Sequence, residues 1–119
     1  MKLPDAERAF VDIAKLRDYC LNPNHPEGKH KARVFLEKLG LTKNDAVRLR
    51  TAILEAILEA DATEQRPTGY GRRFVVDFEL SVPEGKFILS TALVRTAWII
   101  RNDEDFPRLT TCFNPRRRT

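Results

Sequence analysis

The stretch Arg73-Phe74-Val75-Val76-Asp77-Phe78-Glu79-Leu80 decides how the chain must fold. Phe74, Val76, Phe78 and Leu80 alternate with Arg73, Val75, Asp77 and Glu79. Successive side chains of a strand point to opposite faces, so this period of two predicts a strand with one buried face. Upstream the period is helical. Ala46, Leu49, Ile53, Ala56, Ile57 and Ala60 share one helix face, and Thr42 followed by Asp45 makes a capping-box start for it. Ala32, Phe35, Leu36 and Leu39 form a second stripe over Lys29–Leu39, which Gly40 closes. Asp12 can cap a first short helix with Ile13, Leu16 and Cys20 on one face. Ahead of it, Ala6, Ala9, Phe10 and Ile13 fit a helical face, and Ala9-Phe10-Val11 fit a short extended segment as well.

Residues 61–71 read as a polar loop ending in Gly69-Tyr70-Gly71. Beyond the deciding strand, Pro83-Glu84-Gly85 turns the chain. A long extended segment follows over residues 86–101, bent or bulged near Ser90-Thr91. Asn102-Asp103-Glu104-Asp105 makes the next turn, and residues 108–113 the last strand. Three consecutive strands with short connections form an antiparallel meander. Only the helices can cover its apolar face. The fold class is therefore α+β, with N-terminal helices packed on one face of a curved antiparallel β-meander. Residues 1–119 form a single domain: a helical part over about 5–60, a sheet over about 72–113 and a basic tail at 114–119.

A chain of 119 residues can bury one real core. Its 42% hydrophobic and 32% charged content excludes a disordered tail and a helical membrane protein. The first residues carry no apolar signal segment, so a cytoplasmic protein without membrane association is expected. A net charge of +4 permits a polyanionic partner without specifying one. Arg116-Arg117-Arg118 reads as a solvated tail. Cys20 and Cys112 lie far apart and make no metal set with the two histidines, so both are expected as reduced, small apolar residues, with no metal or other cofactor.

The chemistry-bearing segment runs from Leu21 to Arg33. Its Asn22-Pro23-Asn24-His25-Pro26-Glu27-Gly28 loop holds two prolines and a glycine and leads into a helix start. His25, Lys29, His30, Lys31 and Arg33 then stand close together. Free N–H groups at a helix start attract anions, and a phosphate is the natural guest. The alternative is a stiff connector with solvated cations. On the sheet, if Leu109, Thr111 and Phe113 face the core, then Arg108, Thr110 and Cys112 face outward, and Arg73 lies on the non-core face. Trp98 either packs in the core or stacks a base from an exposed concave face. Tyr70, between two glycines, can present its phenol at the sheet edge. Cations, hydroxyls and histidines without a carboxylate cluster are what metal-free RNA cleavage needs: a base for the 2′-hydroxyl, an acid for the leaving oxygen, and cations for the phosphorane.

Three blocks carry a family resemblance. The first is Lys15-Leu16-Arg17-Asp18-Tyr19-Cys20-Leu21-Asn22-Pro23-Asn24-His25-Pro26-Glu27-Gly28-Lys29-His30-Lys31-Ala32-Arg33-Val34-Phe35, then Leu39-Gly40. The second is Tyr70-Gly71-Arg72-Arg73-Phe74. The third is Thr96-Ala97-Trp98-Ile99-Ile100 with Phe106-Pro107-Arg108-Leu109-Thr110-Thr111-Cys112. Together they resemble a bacterial family of unknown function, found as small standalone proteins and as C-terminal modules of polymorphic toxins. The helix-then-sheet order of that family is similar to the small RNase toxins of the barnase and colicin-nuclease type. The resemblance implies a nuclease with a small cognate immunity or antitoxin protein as partner. It supplies no assigned catalytic set.

The leading expectation is a metal-independent, toxin-type endoribonuclease acting on RNA. His30 would be the general acid or base, with Lys31 and Arg73 on the phosphate and Tyr70 and Thr110 assisting. His25, Lys29, Trp98 and Arg108 would bind substrate. The alternative is a non-enzymatic module that binds a protein or a nucleic acid through its sheet.

Overall fold

In the computed structural model, which describes residues 1–83 and 89–115, local side chains set where the helices begin and end. Helix α1 (Ile13–Lys15) starts at Asp12, whose carboxylate accepts from the Ala14 N–H at 2.9 Å. It runs into one π-helical turn, Leu16–Cys20, closed by the Leu21 N–H donating to the Leu16 carbonyl at 2.8 Å. Helix α2 (Lys29–Leu39) stops at Gly40, which takes a left-handed φ of 66°. There the Gly40 and Leu41 N–H groups close onto the Leu36 and Phe35 carbonyls. Helix α3 (Ala46–Ala56) follows a 3₁₀ turn at Lys43–Asp45. The capping box is present: the Thr42 hydroxyl accepts from the Asn44 N–H at 3.3 Å, and the Asp45 carboxylate from the Thr42 N–H at 2.8 Å. Around Phe10 the extended alternative holds. The Phe10 N–H donates to the Pro107 carbonyl at 2.9 Å, and the Phe10 carbonyl accepts from the Leu109 N–H at 3.0 Å.

The sheet is an open antiparallel meander in the order β1 (Ala62–Thr68), β2 (Gly71–Pro83), β3 (Leu89–Arg101), β4 (Arg108–Phe113). It has one strand more than the sequence predicts. Residues 61–71, read as a polar loop, contain β1. That strand is polar on both faces because it is an edge, paired only with β2, so no apolar alternation marks it. Pro67 is tolerated where the register lapses between Gln65 and Thr68. The expected turn at Glu84-Gly85 and the segment 86–88 lie outside the described residues.

No bulge falls at Ser90-Thr91, since β2 and β3 pair without a break from Gly71↔Arg101 to Pro83↔Leu89. The irregularity falls between β3 and β4. Ala97 pairs with Thr111 and Trp98 with Leu109, which leaves Thr110 as the extra residue. One extra residue reverses the alternation, so Leu109 and Cys112 both face the core. The expectation that Thr111 and Phe113 point inward and Cys112 outward is thereby corrected. Phe74, Val76, Val94, Thr96 and Trp98 face the helices, where Leu16, Leu21, Phe35, Leu49 and Ile53 complete the core. Thr96 is the buried polar residue there, and it is satisfied on both sides: its hydroxyl donates to the Val76 carbonyl and accepts from the Trp98 indole N–H, each at 2.8 Å. The opposite face carries Arg73, Val75 and Asp77 of β2 and Arg95, Ala97 and Ile99 of β3.

Candidate functional site

The loop after the π-helical turn is held by His25. Its Nδ1 accepts from the Glu27 N–H at 3.0 Å and the Gly28 N–H at 2.9 Å, taking the part of a helix cap. An accepting Nδ1 places the neutral ring's proton on Nε2. The imidazole stands edge-on to Tyr19, with ring centroids 4.8 Å apart at 83°. Gly28 is required at its position: a Cβ there would sit 2.3 Å from the Tyr19 carbonyl oxygen. The loop is thus clamped onto the π-helical turn, and this clamp aims the first turn of α2.

Lys31 is the residue so aimed. Its ammonium donates to the Tyr19 hydroxyl at 3.1 Å and to the Thr111 hydroxyl at 3.0 Å. It also lies 4.8 Å from the Tyr19 ring centroid and 5.4 Å from that of Phe113. Among the described residues no carboxylate forms an ion pair with it. The half-buried charge is therefore balanced by dipoles and π-faces, an arrangement open to an anion. A groove of about 640 Å³ opens beside it, lined by Lys15, Tyr19, His25, Lys31, Thr110 and Thr111 together with Asp12, Asp18 and Glu27. Lys15 crosses the strand edge to donate to the Thr110 carbonyl at 3.3 Å.

Beneath the groove two thiols meet. Cys20 and Cys112 are buried and free, and each shifts the titration of the other. The Cys112 thiol lowers Cys20 to about 7, against the effect of burial and with help from the Cys112 N–H, the Thr111 hydroxyl and the Lys31 charge. The Cys20 thiol and burial push Cys112 well up.

A second depression, about 530 Å³, is lined by Tyr70, Ile99, Arg101, Asn102, Asp103 and Thr110. Thr110 borders both hollows, so they adjoin at the bulge. Arg73 pairs with Ile99 on the same open face, and its guanidinium donates to the Arg66 carbonyl at 3.4 Å.

A family model described as a domain of unknown function (DUF6883) matches residues 2–116. The chain belongs to that family. Among curated proteins none matches it. Among solved structures, this DUF6883 domain is similar to a chain of a contact-dependent growth inhibition toxin–immunity protein complex from Klebsiella pneumoniae 342. The TM-score is 0.66 at 14% identity, covering 95% of this chain and 98% of that one. At that identity the likeness is one of fold.

The DUF6883 chain brings together His25, Lys31 and Thr110 of the residues singled out from sequence, with Tyr70 and Arg73 on the adjoining open face. It separates the others. His30 is one helical step from Lys31, about 100° around the axis. It is exposed, its Nδ1 lies 3.2 Å from the Arg33 guanidinium, and it lines a different depression with Pro23, Lys29, Arg33 and Leu36. Lys29 turns away with it. Trp98 is 1% exposed, so no base can reach its ring. Arg108 is engaged by the Glu104 carboxylate at 2.5 Å and covers the Phe10 and Phe106 rings. That contact holds the Glu104 carboxyl below the ordinary range. Lys15, Tyr19 and Thr111 line the groove without having been singled out from sequence. Lys15 and Tyr19 are spaced four apart and off the Ile13, Leu16 and Cys20 stripe, a signal visible in the sequence. Thr111 was hidden by the bulge.

Proposed function

We propose that this domain is the toxin component of a toxin–immunity pair and cleaves RNA without a metal ion, in the groove at Lys31. The observation that carries the reading is the half-buried Lys31 ammonium, held by two hydroxyls and two rings with no carboxylate partner among the described ion pairs. A phosphodiester supplies the missing negative charge. The ribose 2′-hydroxyl attacks phosphorus, the 5′-oxygen leaves, and the phosphorane between them gains charge that a fixed cation and neighbouring hydroxyls stabilise. In this reading Tyr19, whose hydroxyl accepts from Lys31, takes the 2′-hydroxyl proton and gives its own to the leaving 5′-oxygen. The His25 Nε2–H is a donor for a phosphate oxygen. His30, the acid–base residue expected from sequence, has no part. The likeness in fold to a chain of a toxin–immunity complex supports both the toxin setting and an immunity protein as partner.

The test is cleavage of single-stranded RNA in EDTA by the purified chain. Lys31→Met is expected to lose roughly 100-fold or more in rate, the scale of one preorganised charge donor. Tyr19→Phe loses roughly 100-fold, and His30→Ala stays near the parent. Undiminished cleavage by Lys31→Met sinks the proposal. The same likeness in fold fits a second reading, in which the chain is the binding partner rather than the nuclease. Tight binding of a cognate protein across the open sheet face, with RNA left intact, is the outcome that favours it.

A further inference from the structure

We propose that the depression beside Tyr70 is a nucleobase subsite, which holds a base of single-stranded RNA next to the phosphate bound at Lys31. The proposal rests on the RNA reading of the Lys31 groove and adds what that reading leaves open, the contact that places the strand.

Tyr70 is 79% exposed, so its ring face is free for a ligand. Exposed tyrosines are common, but this one is fixed at its backbone. Its N–H donates to the Thr68 hydroxyl at 3.2 Å, and its carbonyl accepts from the Asn102 N–H at 3.1 Å. The Asn102 side chain donates to the Gly69 carbonyl at 2.7 Å. The β1–β2 turn is thereby tied to the β3–β4 turn. Gly71, just after the tyrosine, has φ +154° and would place a Cβ 2.1 Å from the Ile100 carbonyl oxygen, so only glycine lets the two turns approach this closely. The backbone that carries the ring is thereby fixed, so part of the ordering cost of binding is already met.

The hollow beside the ring has a stacking face in Tyr70, an apolar floor in Ile99, and polar groups from Arg101, Asn102 and Asp103 at its rim. A planar, apolar-faced ligand with a polar edge is what this set accepts, and a nucleobase has that form. Thr110 borders both this hollow and the Lys31 groove, which makes the two sites neighbours along one strand of RNA. Tyr70 is thus a binding residue in this account, not the catalytic one expected from sequence.

The experiment measures binding of a fully 2′-O-methylated single-stranded oligonucleotide, which cannot be cleaved, by fluorescence anisotropy. Parent, Tyr70→Ala and Tyr70→Phe are compared, and an abasic site is scanned along the oligomer. Tyr70→Ala is expected to bind about 5- to 100-fold more weakly, the range for one stacked base, and Tyr70→Phe to bind as the parent does. One abasic position weakens the parent by the same factor and leaves Tyr70→Ala unchanged, which a merely structural role would not produce. Equal binding by Tyr70→Ala, with RNA cleavage in EDTA intact, overturns the subsite and leaves the nuclease reading standing. Tyr70-dependent binding without any cleavage by the parent overturns the nuclease and supports the subsite. No binding by the parent with RNA cleavage intact overturns the subsite alone, and no binding with no cleavage overturns both.

Discussion

Lys31 sits over two aromatic rings with two hydroxyls on its ammonium, and its charge, with the Cys112 thiol, helps lower the Cys20 thiol. The pair gives a pH dependence of known sign. Cys20 loses its proton near 7 in the folded protein, and an unfolded thiol does so nearer 8.5 to 9. Between those values the unfolded chain binds more protons, so stability rises as pH rises, and the contribution is lost as pH falls through about 7. Cys112 is shifted the other way and works against stability only above the ordinary thiol range. Urea denaturation is expected to show a gain in stability from about pH 7 to 9 in the parent and none in Cys20→Ala. An equal slope in both variants contradicts this assignment. At this scale the sequence was half legible. The basic loop reads as a candidate site, and of its cations Lys31 lines the groove beside His25, but neighbouring positions on a helix diverge by about 100°. Residue type alone cannot choose His30 or Lys31.

The elements explain which glycines matter. Gly28 has an ordinary φ of −83°, yet a Cβ there would meet the Tyr19 carbonyl at 2.3 Å, in the clamp that aims α2. Gly40 has φ +66° but open space around it. Gly28→Ala must push backbone apart and is expected to cost about 2–3 kcal/mol, whereas Gly40→Ala pays only left-handed strain, about 1 kcal/mol. Equilibrium unfolding of the two variants checks the order, and the reverse order contradicts the clamp. Helices and their caps were readable because the signals are local: Asp12, Thr42 with Asp45, and Gly40 act within one turn. β1 and the Thr110 bulge were not. A polar edge strand has no buried face to pattern it, and a bulge is set by pairing with another strand.

Among the described residues the helices cover one face of the sheet, and the other is open beside the Lys31 groove. Trp98, the single tryptophan, lies on the covered face. Its emission is expected to be blue-shifted, insensitive to iodide and unchanged on adding RNA. Quenching by RNA would place the ligand on the wrong face of the sheet. The α+β architecture followed from the change of period at residues 72–74, a global property written in local alternation. The convergence of His25, Tyr19, Lys31 and Thr111 was not readable, because it depends on how the π-helical turn, α2 and β4 meet. The most direct test of the central claim is end-group analysis of single-stranded RNA treated with the purified chain in EDTA. Attack by the 2′-hydroxyl predicts 2′,3′-cyclic phosphate and 5′-hydroxyl ends, absent with Lys31→Met. Intact RNA, or fragments with 5′-phosphate and 3′-hydroxyl ends, would contradict it.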